Sequence, residues 1–316
     1  MPSSAVRTFT DPDEYTAAIR GATAEVAITQ RGDFQAKWAR IDLHRLWMQR
    51  YSDNLSRILN VTNLTAGRTY ISFRTRPGPS FLQGGMELSP FVVQWHGPGS
   101  DYYQRSSGSA HFGTMSLPVE DSASFGEAMA GLDLTPPHDP ILITPPRPAI
   151  ERLQRLHAAA RDLAENAPEI ITNPNAARGL EQALIETLVH CLGTAQHGEN
   201  SLAQGQHAVV MRRFRRAVEE SCEQPLYIPE LCKAIGVSER KLRMCSQEHL
   251  GVSPKRYLLL RRMHLSRRAL REAAPDATSV TDIATSYGFW QLGRFAVEYQ
   301  ALFGEPPSAT LRRRYG

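Results

Sequence analysis

One short pattern occurs twice in the last third of this 316-residue chain, at an almost constant offset, and it narrows the possible folds more than any other feature. The first copy runs Leu231-Cys232, three residues, Gly236-Val237, then Leu250-Gly251-Val252-Ser253-Pro254. The second runs Ile283-Ala284, three residues, Gly288-Phe289, then Phe303-Gly304-Glu305-Pro306-Pro307. An apolar-small pair followed after three residues by Gly-apolar fits the first helix and tight turn of a helix-turn-helix unit. The small residue lets the second helix cross close to the first, and the glycine takes the turn between them. Two such units in tandem predict two groove-reading helices on one polypeptide.

Charge is distributed in keeping with that expectation. From Ser201 onward there are 19 Lys and Arg against 11 Asp and Glu, whereas the preceding two thirds carry 17 basic and 21 acidic residues. The net +4 of the whole chain hides a basic C-terminal third on a mildly acidic remainder. A basic face is the electrostatic footprint of phosphate binding; a solvated surface is the alternative reading, weaker beside the repeat.

The chain is long enough for two domains, each with its own core. Its first thirty residues are polar, unlike a signal peptide, and no stretch approaches the roughly 20 apolar residues that cross a bilayer. The expected location is the cytoplasm, at the nucleoid, with no membrane partner. Cys191, Cys222, Cys232 and Cys245 show no CxxC spacing and are read as reduced, mostly buried thiols.

Asp11-Pro12-Asp13 is expected to start a helix over Glu14 to Arg20, within a helical lead-in of about thirty residues. From about Asp33 to Pro118 the texture changes to alternating segments such as Lys37 to Leu43, Leu43 to Tyr51, Arg68 to Thr75, Phe91 to Trp95 and Ala110 to Leu117. Turn clusters such as Pro77-Gly78-Pro79 and Gly97-Pro98-Gly99-Ser100 separate them, which predicts a small antiparallel barrel or sandwich over about 30–120. After the proline-rich Thr144 to Pro148, two amphipathic helices over about 148–192 carry Ile150, Leu153 and Leu156, then Leu184, Leu188 and Leu192. Dimerisation and packing back on the β region explain that stripe equally well. Gly193 to Gln206 reads as a linker, giving domains 1–200 and 201–316.

The C-terminal third reads as helices throughout. A helix over 207–221 places Phe214 and Val218 inward and Arg212, Arg213, Arg215 and Arg216 outward. The first motif pair covers about 228–249, a long helix about 253–272, the second pair about 280–303, and a last helix 308–314. In the first pair Leu242 is the inward anchor, and Ser238 fits an N-cap. Glu239, Arg240, Lys241, Arg243 and Met244 then face outward, and Arg240 and Arg243 are the candidates for reading guanine, phosphate contact being the alternative. In the second pair Phe295 and Tyr299 face inward, and Gln291 and Arg294 lie opposite. Trp290 packs either on the sugar-phosphate backbone or into the core of the unit. Ser253 begins the long helix and could offer its amides to a phosphate, although an ordinary cap explains it as well. A helix of about 20 residues spans about 30 Å, close to the roughly 34 Å between successive major-groove faces on one side of a duplex.

These residues resemble the DNA-binding domain of AraC/XylS-type bacterial transcription regulators. The resemblance is carried by Leu231-Cys232 to Ser238, by Gly251 to Pro254 with Tyr257 and Arg261, and by Ile283-Ala284, Gly288-Phe289, Phe303-Gly304 and Pro307-Ser308. The block Gly288 to Ala296 with Leu302 to Ser308 is similar to the ethanolamine-utilisation regulator branch, without implying that ligand. The chain departs from the pattern at Ser246, where an aromatic is usual, and at Met244, often basic; either Met244 or Leu250 would have to fill the space.

The resemblance implies a two-domain protein: an N-terminal, mainly-β, cupin-like barrel with flanking helices that senses an effector, and a C-terminal all-α domain with two helix-turn-helix units. It further implies promoter DNA and RNA polymerase as partners, a homodimer and an activator. Cupin metal sites need clustered histidines, and His44, His96 and His111 stand isolated, so no metal or cofactor is expected. No nucleophile elbow, phosphate loop or carboxylate pair appears, so no catalytic residue is expected. The β region is rich in rings, and Trp38, Arg45, Trp47, Arg74, Trp95 and His96 are the candidate effector contacts. A cupin-type metal enzyme and a ligand-independent DNA-binding protein are the alternatives.

Overall fold

A computed structural model describes residues 1–194, 196–197, 202–221, 226–274 and 278–313. The N-terminal region runs β1 Ser3–Phe9, α1 Pro12–Ala17, β2 Thr23–Ile28, β3 Ala36–Asp42, β4 Trp47–Asp53, β5 Arg57–Thr62, β6 Arg68–Arg74, β7 Phe81–Gln83, β8 Met86–Glu87, β9 Val93–His96, β10 Tyr102–Ser106 and β11 Ala110–Pro118. It continues through α2 Val119–Ala130, β12 Ile141–Thr144, α3 Arg147–Asn166, α4 Pro168–Thr172, α5 Pro174–Gly193 and β13 Gln196–His197. The C-terminal region is helical: α6 Leu202–Glu220, α7 Ile228–Ile235, α8 Glu239–Leu250, α9 Pro254–Glu272, α10 Val280–Ser286, α11 Leu292–Phe303 and α12 Pro307–Arg312. Two domains result, one mainly β and one α.

The strands form two separate sheets, ordered β1-β3-β4-β11-β6-β9-β12-β13 and β2-β5-β10-β7-β8. The expected barrel does not close. Each sheet keeps two edges, and the larger one buries its second face under helices instead of curling onto itself. The two-residue alternation explains the layers. Trp38, Tyr51, Tyr70 and Phe112 project from the large sheet into a core shared with Val26, Leu59, Val61 and Phe81 of the small one. Their neighbours Ile41, Met48, Ile71, Phe73 and Met115 project the other way and meet Ile150, Leu153, Leu184 and Leu188 of α3 and α5. The apolar stripe of those two helices is therefore used within the protomer.

The helical lead-in is also corrected. Asp11 does cap a helix, accepting from the amides of Asp13 and Glu14, but α1 is one short element between two strands. β1 pairs along its length with β3, from Ser3 opposite Asp42 to Phe9 opposite Ala36, so a partner thirty residues away decides its conformation. Helix α2 and strand β12 were not foreseen.

The outer face of the small sheet is where the two domains meet. Ile58 and Tyr103 join the core formed by Phe214, Val218, Leu242 and Tyr257 of the helical domain. A second core, around Met263, Leu270, Phe289, Phe295 and Tyr299, holds α10 and α11 against the far end of α9. The linker expected over Gly193 to Gln206 is corrected, because α5 runs to Gly193, β13 covers Gln196–His197 and α6 already begins at Leu202. Cys222 and residues 198–201 lie outside the described residues; Cys191 and Cys245 are buried thiols and Cys232 is half-buried. No helix among the described residues is long and apolar enough to cross a membrane.

Candidate nucleic-acid interface

The two copies of the repeat fold into the same turn. Gly236 and Gly288 hold φ of 71° and 75°, a left-handed conformation that a β-carbon would strain, and there the chain reverses between helices. One residue further on, the Val237 amide donates to the Cys232 carbonyl at 3.0 Å and the Phe289 amide to the Ala284 carbonyl at 2.9 Å. These bonds, at the same position in each copy, satisfy carbonyls that a helix end otherwise leaves free.

Each turn delivers a helix with one buried and one exposed face. In α8 Leu242, Cys245, Ser246, His249 and Leu250 are buried. Ser238 caps it, its hydroxyl accepting from the Lys241 amide at 3.2 Å. Glu239, Arg240, Arg243, Met244 and Gln247 face solvent, and Lys241 is half-buried. Ser246 replaces ring packing by a hydrogen bond, donating to the Val252 carbonyl at 2.7 Å, while Leu250 rather than the exposed Met244 fills the core.

In α11 Phe295 and Tyr299 are buried, and Phe289 packs 4.7 Å from Phe295 between ring centres. Gln291, the residue before α11, Arg294 and Gly293 are exposed. Trp290 is 74% exposed, so it does not plug the unit; Phe289 takes that place. Val297, at 69% exposure one turn beyond Arg294, belongs to the same outer face and was missed, although its i+3 spacing announces it. An exposed valine there suits contact with a thymine methyl. Ser253 caps α9, its hydroxyl accepting from the Arg256 amide at 3.3 Å, with Lys255 and Arg256 exposed beside it.

The two arginines central to the expectation share a second property. Arg243 Nη2 lies 2.6 Å from Glu239, and Arg294 Nε lies 2.8 Å from Glu298, each one helical turn away. Such exposed pairs are weak, so the guanidiniums exchange partners at low cost.

Not all of the basic charge faces outward. Arg215 was expected on the surface but is 5% exposed, pairing with Asp101 at 2.9 Å. Arg212 pairs with Asp139 at 3.2 Å, Arg261 with Glu25 at 3.1 Å, Arg268 with Asp13 at 2.7 Å, and Arg271 with Asp11. All these acids belong to the N-terminal region. The charge asymmetry read from the sequence is thus partly an interdomain match. On α9 the docked residues Tyr257, Arg261, His264, Arg268 and Arg271 recur at helical spacing, one stripe laid against β2, β10 and α1.

The six candidate effector contacts do not converge. Trp38 and His96 lie between the sheets: Trp38 Nε1 donates to Gln49 at 3.1 Å, and His96 Nε2 sits 2.7 Å from Gln83 Nε2, its pKa lowered to about 3 by burial. Arg74 is buried on the same face, donating to the Pro79 carbonyl at 2.8 Å. Trp95 points to the helix side and donates to Thr69 at 2.6 Å. Arg45 is an exposed partner of Asp121, and Trp47 is sandwiched by Arg20 and Arg68, each 3.7 Å from its ring centre. Between the sheets the rings pack on one another, Tyr51 stacking on Phe112 at 4.5 Å, and a cavity of about 30 Å³ remains, about one water's share of volume. His44, His96 and His111 occupy a loop, the inter-sheet face and the helix-side face respectively, and no group of three or more metal-binding side chains forms among the described residues.

Residues 231–313 match a family described as a helix-turn-helix domain. Over 95 residues the chain is 41% identical to a probable thc operon regulatory protein of Rhodococcus erythropolis, covering 30% of this chain and 29% of that protein. Over 102 residues it is 37% identical to XylDLEGF operon transcriptional activator 3 of Pseudomonas putida, covering 32% and 31%. The match thus spans less than a third of the length of either relative. Among solved structures, the AraC-like transcriptional activator CuxR aligns over 89% of this chain and 99% of its own, with TM-score 0.45 and 14% identity. Vibrio cholerae ToxT with bound unsaturated fatty acid aligns over 85% and 95%, with TM-score 0.30 and 10% identity.

Proposed function

The C-terminal region of this chain is a helix-turn-helix DNA-binding domain of the AraC/XylS type, and from that premise we propose that the whole protein is a ligand-responsive transcription activator. The observation that carries the proposal is the repeated turn: two helices, α8 and α11, delivered by equivalent hydrogen bonds with their polar faces free.

Arg240, Arg243, Gln291 and Arg294 read base edges in this proposal. Glu239, Lys241, Ser238, Ser253 and Trp290 set register on the backbone. The α9 helix, 19 residues and about 28 Å long, spaces the two units for successive major-groove segments, with some bending of the duplex. The working division is 1–200 for the sensing domain and 201–316 for the DNA-binding domain. The protein acts at the nucleoid as a homodimer that engages RNA polymerase. The likeness of residues 288–308 to ethanolamine-utilisation regulators concerns DNA reading and leaves the ligand open.

Helix α9 gives the sensing domain its means of control. One stripe of that helix is held by the N-terminal region, while its two ends set the two reading units. A ligand that alters this grip alters the spacing or mobility of the units, which is a coupling free energy between two sites.

The test is fluorescence anisotropy of the full chain on DNA from upstream of its own gene against a scrambled duplex, across a salt series. A preference above about 10³ that survives added salt supports base reading. Equal and steeply salt-dependent binding to both duplexes, with and without candidate ligands, overturns it.

A further inference from the structure

The helix-facing side of the large sheet is apolar over most of its area and strongly basic at one end. Strand register places Lys37, Ser52 and His111 side by side across β3, β4 and β11, with Ala39, Arg50 and Gly113 in the next row. The row after that, Ile41, Met48 and Met115, is already core. Helix α3 crosses this end and adds Arg161 and Glu165, and Arg76 follows β6. Together they enclose a cavity of about 190 Å³ lined by Lys37, Arg50, Arg76, His111, Arg161 and Glu165.

Its charges do not balance. Glu165 is shared between Lys37 at 2.9 Å and Arg161 at 3.3 Å, and Asp162 pairs with Arg161 at 2.7 Å. Among the described residues neither Arg50 nor Arg76 has a carboxylate within ion-pair distance; Arg50 reaches His157 Nδ1 at 3.4 Å, a long contact. Four cations thus face two carboxylates, an excess of two positive charges in a half-buried space. Burial, and repulsion from Arg161 and Arg76, hold the pKa of Arg50 down to about 10. Burial and the same cationic surroundings, Arg76 and Arg50 foremost, lower that of His111. The Nε of Arg161 is buried without a hydrogen-bond partner. Unneutralised guanidiniums gathered in one cavity cost stability, and a bound oxyanion removes that cost through forked, charge-assisted hydrogen bonds.

We propose that this cavity under α3 binds a small dianionic oxyanion, a metabolite bearing either a phosphate or two carboxylates, with Arg50, Arg76 and Arg161 as its principal contacts. Its volume, about six waters at roughly 30 Å³ each, admits such a molecule. Calling this anion the effector rests on the regulator reading above; the binding itself does not, and the experiment contains no DNA.

The full chain is melted in about 10 mM inorganic phosphate, succinate or chloride at matched ionic strength. Phosphate, succinate or both raise the melting temperature by about 4 °C or more over chloride. A response to phosphate alone assigns a phosphate-bearing ligand, and one to succinate alone a dicarboxylate. Arg50→Gln abolishes the rise while melting no lower than the parent in chloride, since it removes a repelled charge. Arg76 is exposed, so Arg76→Gln tests the site without endangering the fold, and weakens anion affinity roughly tenfold. No rise with either anion, or an equal rise in both variants, overturns the proposal.

Discussion

Arg261, in the middle of α9, points its guanidinium at Glu25 of β2, Nε to Oε2 at 3.1 Å and Nη2 to Oε1 at 3.4 Å. The two residues lie 236 positions apart, so this fork joins α9, which runs between the two repeated turns, to the small sheet of the N-terminal domain. Arg261 is 14% exposed and Glu25 34%, which shields the pair partly from solvent. In a double-mutant cycle, Arg261→Gln and Glu25→Gln are expected to couple by about 1 kcal/mol in urea unfolding. Additive losses would mean that this pair contributes nothing to holding the domains together, leaving the other ion pairs and the apolar contact to do so.

The outward arginine of the second unit should behave as a reader. Arg294→Ala is expected to weaken specific DNA binding by about 1–3 kcal/mol and to relax preference at one base pair. It should leave folding intact, because Arg294 is exposed and its Glu298 pair is worth little. Equal weakening on specific and scrambled duplexes would assign it to phosphate instead.

Which parts of this fold can be read from the chain depends on the range of the forces involved. The repeated turns are legible because each is set locally, by Gly236, the Ser238 cap and the buried Leu242 in the first and by Gly288 and the buried Phe295 and Tyr299 in the second, all within about a dozen residues of their turn. The destination of Arg215 is not, since its partner Asp101 is 114 positions away and the residue carries the same label as its exposed neighbours Arg213 and Arg216. The sheet shows the same limit. Alternation announces strands β3, β6 and β11, but β1 exists through its pairing with β3, and no local signal says whether an edge will close or be covered by α3 and α5. The basic cavity falls between these cases, because Lys37, Arg50 and His111 become neighbours only once the register of β3, β4 and β11 is known.

Trp290 offers a test that separates a surface role from a structural one. A tryptophan exposed over 74% of its area contributes little to a core, so Trp290→Ala should shift stability by no more than about 0.5 kcal/mol. DNA affinity is expected to fall about tenfold, through lost stacking on the sugar-phosphate backbone. A large loss of stability with unchanged DNA binding would return this residue to the core of the unit.

His264 makes the interdomain contact sensitive to pH. Its Nε2 accepts from the Ile28 amide at 2.9 Å, which requires the neutral ring. Burial lowers its pKa to about 4, against about 6.5 when unfolded. The folded value is the depressed one, so below pH 6.5 the unfolded chain binds the proton that the folded chain refuses. The contribution is complete above the unfolded pKa and drains away as pH falls towards 4. His96 and His157, each lowered to about 3 by burial, add losses of the same sign, so the parent should destabilise steeply below pH 6. His264→Gln retains an acceptor for Ile28 but does not titrate. Between pH 6 and pH 5 the variant should therefore lose about 1 kcal/mol less than the parent in urea unfolding. Parallel curves would mean that His264 takes up its proton in the folded state, with the acid of α1, Asp13, holding the charge.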